Sequence, residues 1–239
     1  MNNIFSNSEN SKKDYLKRFV EKDEGSDPVY SPMDPPGAYK PPSIEAVPIE
    51  DLHPVLQLFM NEHKATLKKL EELEATLIEI KKEGINKERN KNLGAFFEFL
   101  DDKIVMHNLK EERVLFPVIH DRMIENGEHG TGLVKDTAVD MLENDHIKMM
   151  ELATLTFSLM GISSRINDPV SNALLMDTAI EQGLSLVEML RLHIFREDNV
   201  VFPLAQKYLT VADFEETAMK MKKYFSVQVP GINSTEKVQ

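Results

Sequence analysis

The residues able to do chemistry in this 239-residue chain recur as a spaced set. One passage reads His107-Asn108-Leu109-Lys110-Glu111-Glu112-Arg113-Val114-Leu115-Phe116-Pro117, and a second reads His193-Ile194-Phe195-Arg196-Glu197-Asp198-Asn199-Val200-Val201-Phe202-Pro203. Both follow His-x-x-x-Glu-acidic-x-Val-aliphatic-Phe-Pro. Upstream of each stands another matching pair, Asn61-Glu62-His63 and Asn144-Asp145-His146. His63 precedes His107 by 44 residues (107 − 63), and His146 precedes His193 by 47 (193 − 146). Repetition at this scale marks an internal duplication of a helix pair.

Each histidine lies in the middle of an apolar helical stripe. His63 falls between Leu56, Phe59 and Leu67, Leu70; His107 between Leu100, Ile104 and Val114. His146 falls between Val139, Leu142 and Met150, Ala153; His193 between Leu186, Met189 and Val200. Glu111 and Glu197, four residues beyond a histidine, share the same inward face. An uncompensated carboxylate in an apolar core is costly. Four imidazoles and two carboxylates converging there call for a cation. The competing reading, buried glutamates with no metal, gives no reason for both residue types to recur in both halves. Two glutamates bridging two ions would give each ion two histidines and two carboxylate oxygens. With water as a fifth ligand, about one position per ion stays open.

The chain has no cysteine, which removes disulfides, thiolate catalysis, iron–sulfur clusters and zinc–thiolate sites. Nitrogen and oxygen donors alone suit iron; manganese, or a mixed pair, satisfies the same chemistry. A formal net charge of −12 repels a phosphate backbone, so nucleic acid is not an expected partner. No apolar run reaches the length of a membrane span, and the polar start MNNIFSNSENSKK lacks an apolar signal core. A cytoplasmic protein without a membrane partner is expected.

The histidines must be positioned by helices. Residues 1–48 hold seven of the twelve prolines and read as an extended or disordered arm, with a short helix over Asp14–Val20 as its one structured stretch. The arm is also a candidate docking segment for a protein partner. Residues 49–227 read as one bundle and 228–239 as a loose tail. Helix A starts at His53-Pro54 and stops before Gly84; helix B runs from Lys87 towards Phe116, is interrupted at Pro117 and continues to Glu125. Helix C spans Leu133 to Ser163. Asp168-Pro169 opens helix D, which ends near Pro203, and Thr210 with Asp213 opens a short helix E. The expected fold is all-α: an antiparallel up-down-up-down four-helix bundle with a short fifth C-terminal helix.

Neighbouring residues have blander readings. Glu112 and Asp198 follow the inward glutamates, and one residue step turns about 100° around a helix, so they read as solvated acids rather than as supports of the site. Glu62 and Asp145 read equally as acceptors for an imidazole N–H or as exposed polar residues. His53, about 15 Å along the helix from His63, is too distant to join the set. His129 lies in a glycine-rich loop and reads as exposed, and His120 falls outside the repeat. Met141, Met149, Met150 and Met160 read as core filling.

With these residues placed, the sequence resembles the hemerythrin-like (HHE cation-binding) family from about Leu52 to Pro203. The resemblance rests on His53-Pro54, Glu62-His63, His107 with Glu111 and Leu115-Phe116-Pro117, Asp145-His146, and His193 with Glu197 and Phe202-Pro203. It implies a di-iron centre, oxo- or hydroxo-bridged, with His63, His107, His146 and His193 as iron ligands and Glu111 and Glu197 as bridges. It further implies that O₂, NO or peroxide binds at open iron positions, in sensing or response to oxidative or nitrosative stress. Oxygen-carrying hemerythrins use a fifth histidine one turn from the third, and here Leu142 and Met150 flank His146 instead. The four-histidine set is more similar to that of proteins that repair iron centres. Their N-terminal cysteine pair has no counterpart in this chain. The alternative function is accordingly an iron donor for iron–sulfur repair, or a di-iron peroxide or NO reductase.

Overall fold

Among the described residues a 3₁₀ turn at Ile49–Asp51 precedes five long helices, which form where the apolar pattern takes a 3.6-residue period. They were located in a computed structural model that describes residues 47–230. The arm and its short helix over 14–20 lie outside the described residues except for residues 47 and 48, as does the tail beyond 230.

Local chemistry sets each boundary. Helix α1 is Pro54–Glu83; the His53 imidazole accepts from the Val55 amide at 3.3 Å, Pro54 occupies the first turn, and Gly84 ends the helix at φ 78°. Helix α2 covers 87–125, capped by Asn86, whose side-chain oxygen accepts from the Arg89 amide at 2.8 Å. It consists of Lys87–Phe99, Val105–Lys110 and Phe116–Glu125 joined by π-helical turns at Leu100–Ile104 and Glu111–Leu115. Helix α3 is Ala138–Ser163, opened by a Thr137/Asp140 capping box. The expected start at Leu133 is five residues too early: the box fixes the first turn at Thr137, and Leu133 and Val134 lie exposed before it. Helix α4 covers 169–208, built from Pro169–Arg196, a π turn at Glu197–Val201 and Phe202–Tyr208. Helix α5 is Val211–Phe225, opened by the Thr210/Asp213 box.

The expected stop of α4 near Pro203 does not occur, and α2 likewise runs through Pro117. A proline lacks the N–H its helix needs and crowds the carbonyl four residues back. Each proline here stands one residue beyond a π turn. In those turns the Phe116 amide bonds the Glu111 carbonyl and the Phe202 amide bonds the Glu197 carbonyl, both five residues back. The wider turn absorbs the proline, and the helix goes on.

Contacts between helices run in opposite numerical order, which makes neighbours antiparallel. Along α1 and α2 they pass from His63–His107 to Glu79–Arg89. Along α2 and α3 they pass from Glu112–His146 to His120–Thr137, and along α3 and α4 from His146–His193 to Ser163–Asn172. Helix α4 returns to α1 through His63–Asp198, Glu74–Arg191 and Lys81–Asp177. The helices thus form a closed ring of four.

Two apolar clusters fill the ring. One gathers Val55, Leu56, Phe59, Leu115, Phe116, Leu142 and Phe202, and α5 caps it with Phe214, Ala218 and Met221. The other gathers Leu70, Leu77, Ile104, Met149, Ile180 and Leu190. On α1, His63 is the one buried residue between Phe59 and Leu70. Among the described residues no strand occurs, and no helix is long and apolar enough to cross a membrane.

Candidate metal centre

All six residues expected at the site meet between the two apolar clusters. His63, His107, His146 and His193 are buried, and Glu111 and Glu197 are fully so, at 0 % exposed. Their donor atoms form two groups, His63–His107–Glu111–Glu197 and Glu111–His146–His193–Glu197, each within 4.8 Å. Both glutamates belong to both groups. Glu111 places Oε1 3.2 Å from His107 Nε2 and Oε2 3.5 Å from His146 Nε2. Glu197 places Oε1 3.2 Å from His193 Nε2 and Oε2 3.1 Å from His63 Nε2.

The outer nitrogens fix what the inner ones can do. His63 Nδ1 donates to Asp198 at 2.7 Å, His107 Nδ1 to Glu62 at 2.7 Å, and His146 Nδ1 to Glu112 at 2.7 Å. An imidazole that donates through Nδ1 presents Nε2 as a lone pair. Those lone pairs face each other across 3.0 Å between His63 and His107, and His146 Nε2 faces His193 Nε2 across 3.1 Å. None of the four glutamate oxygens receives a hydrogen bond. Opposed lone pairs and orphaned buried carboxylates repel unless positive charge lies among them. The donor set is all nitrogen and oxygen, as hard or borderline divalent ions require.

Protons supply that charge when no ion does. Burial pulls His63 down, but Asp198 and Glu197 outweigh it and raise it from 6.5 to about 10. Burial also opposes protonation of His193, and Glu197, Asp145 and Glu111 hold it up at about 10. His107 is likewise raised against its burial, by Glu111 and Glu62. Glu197 is pushed well below the usual carboxylate range despite its burial, by His193 and His63.

Two supporting residues were misread from sequence. Glu112 and Asp198 are not free solvated acids: each binds an imidazole of the next helix. A position 100° from the core-facing glutamate looks onto the seam between helices. There the outer nitrogen of the neighbour's imidazole emerges, so consecutive carboxylates bracket one ring. Glu62 is the acceptor that one of its two readings proposed. Asp145 is less so, since Arg196 occupies it at 2.6 Å while His193 Nδ1 stands 3.8 Å away without a hydrogen-bond partner. Lys110, 5 % exposed, binds Glu62 at 2.6 Å as Arg196 binds Asp145. The carboxylates reach histidines in ring order, α1 to α2, α2 to α3, α3 towards α4 and α4 to α1. Phe202 stacks on His63 and Phe116 on His146, which gives the repeated Phe-Pro its place.

The remaining histidines stay outside. His53 caps α1 and stacks on Phe214 at 3.9 Å. His120 binds Thr137 at 2.9 Å, and His129, half-buried rather than exposed, binds the Gly130 carbonyl at 2.8 Å. Met149 is core, whereas Met150 is 39 % exposed in a groove between α2 and α3.

A ring of four antiparallel helices around a buried histidine–carboxylate cluster defines an α-helical metal-binding bundle. The family model of the hemerythrin HHE cation-binding domain matches residues 55–205, more than half of the chain, and the protein belongs to that family. No curated protein matches the chain.

Proposed function

We propose that this protein is a non-haem di-iron protein of hemerythrin type that binds O₂, NO or peroxide in sensing or response to oxidative or nitrosative stress. In this reading His63 and His107 hold one ion, His146 and His193 hold the other, and Glu111 and Glu197 bridge them. The observation that carries it is the sharing of both buried glutamates by two groups of two nitrogens and two oxygens. Iron, when bound, supplies open coordination positions and reversible redox chemistry. The chain's own residues keep water away through the two apolar clusters and orient the imidazoles through Asp198, Glu62 and Glu112. Manganese satisfies the same donors.

The test is elemental analysis of purified protein together with optical spectra recorded anaerobically and after O₂. About two irons per chain and new near-ultraviolet and visible bands on oxidation support the proposal. A colourless protein with one zinc, or with no metal after anaerobic Fe(II) treatment, defeats it. A persistent adduct marks a carrier or sensor, and rapid turnover marks a peroxide or NO reductase. The second reading, an iron donor, is favoured by His193 Nδ1, which lacks a hydrogen bond and stands 3.8 Å from Asp145.

A further inference from the structure

The duplication pairs the α2–α3 seam with the α4–α1 seam, and the two are closed differently. Between α4 and α1, Arg191 holds Glu74 at 2.7 Å, Lys81 holds Asp177 at 3.1 Å, and Gly183 lets Leu77 approach. Along α3 beyond His146, by contrast, no hydrogen bond or ion pair to α2 occurs among the described residues, and Phe157 meets Phe97 edge-on at 5.1 Å. A groove of about 750 Å³ lies between the helices there, walled by Val105 and Leu109 from α2 and by Ile147, Met150 and Leu155 from α3. Ile147 is 60 % exposed and Leu155 48 %. Single exposed apolar residues need no explanation, but a groove lined with them does. Each wall also carries one acid, Glu112 on α2 and Glu151 on α3.

Such a groove is complementary to an apolar stripe edged on both sides by positive charge. A second copy of the chain is a poor match, since it presents the same acids and a net charge of −12. Residues 13–22 of this chain fit, with four basic residues against two acidic ones. Turned as a helix at about 100° per residue, Tyr15, Leu16, Phe19 and Val20 share a sector of about 140°. Lys13 and Lys17 follow one edge of that sector, Arg18 and Lys22 follow the other, and Asp14 and Glu21 fall at the back.

Reach is ample. Val47 packs at the end of the bundle where α3 begins, against the cluster that holds Val55, Ala138, Val139 and Phe214. The 24 residues numbered 23–46 span up to about 80 Å when extended, and the whole of α3 is about 39 Å long. We propose that residues 13–22 dock as a basic amphipathic helix in the α2–α3 groove of their own chain, with the apolar stripe inward and the Lys and Arg side chains towards Glu112 and Glu151. The docked segment covers Ile147 and Leu155 and shields Glu112, the carboxylate that orients His146. So short a helix gains little beyond its ordering cost, and it leaves the groove well below the temperature at which the bundle melts.

Hydrogen–deuterium exchange of the full chain, read by mass spectrometry at room temperature, tests this. Residues 13–22 should exchange about ten-fold more slowly than the same sequence as a free peptide. Lys17→Glu combined with Arg18→Glu, which leaves the bundle untouched, should return them to the free rate. On the groove side, Glu151→Lys or Ile147→Ser should do the same, and ten-fold dilution of the unaltered chain should change nothing. Exchange at the free rate in the full chain overturns the proposal and leaves the groove to a basic helix of another protein. Protection that survives both the arm and the groove variants also overturns it, because the segment then docks elsewhere. Protection lost on dilution overturns docking within one chain in favour of docking on a second copy.

Discussion

Glu112→Gln and Asp198→Asn keep the shape of each side chain and remove its charge. Each change weakens an N–H to carboxylate bond that orients a ligand imidazole, and metal affinity should fall about 10–100-fold while the fold persists. Competition titration against a chelator measures this. His107→Ala or Glu197→Ala removes a proposed ligand outright and should eliminate most bound metal and lower the melting temperature, since metal binding is coupled to folding. A variant that kept two irons and an unchanged spectrum would disprove the assignment. Metal-free protein should show a distinct pH profile. His63 and His193, raised from 6.5 to about 10, contribute stability that is complete below 6.5 and lost as pH rises through 10. Glu197, lowered from 4.5, contributes above 4.5 and loses that contribution as pH falls. Thermal melts of chelated protein should therefore peak between these limits. The six inward residues were legible because helical period and duplication both mark them. Glu112 and Asp198 were not, because their partners lie on other helices, far off in sequence.

At the scale of single helices, two glycines separate propensity from packing. Gly161 in α3 is exposed, and a Cβ there meets nothing within 4 Å. Gly161→Ala should stabilise by about 1 kcal/mol through backbone entropy. Gly183 in α4 is the close approach to α1, where a Cβ would stand 2.8 Å from Leu77 Cδ1 with Thr156 Cγ2 at 3.3 Å. Leu77 is fully buried and has little room to yield, so Gly183→Ala should destabilise by about 1–3 kcal/mol. Denaturant unfolding of both variants checks the opposite signs. Helix starts were legible wherever a capping residue preceded the apolar period, as at Pro54, Pro169 and Thr210. The start of α3 was misplaced because Leu133 and Val134 prolong the apolar pattern ahead of the Thr137 cap. The continuation of α4 beyond Pro203 was missed because a proline reads as a helix stop, and the π turn ahead of it was not anticipated.

For the molecule as a whole, deletion of residues 1–45 should leave metal content and melting temperature unaltered, because the described chain already buries all six inward residues. Loss of iron in that truncation, read by elemental analysis, would give the arm a part in closing the site. The ring of carboxylate-to-imidazole contacts has a further consequence. Two of its steps run inside a helix pair, α1 to α2 and α3 to α4, and two run between pairs. Two separate copies of one helical hairpin, related by a twofold axis, would generate the same circuit. The connection from α2 to α3 then acts as a tether between two like halves. A chain cut at the fully exposed Leu133 should accordingly remain a single particle in native mass spectrometry, its two fragments held together by the metal and the contacts that surround it.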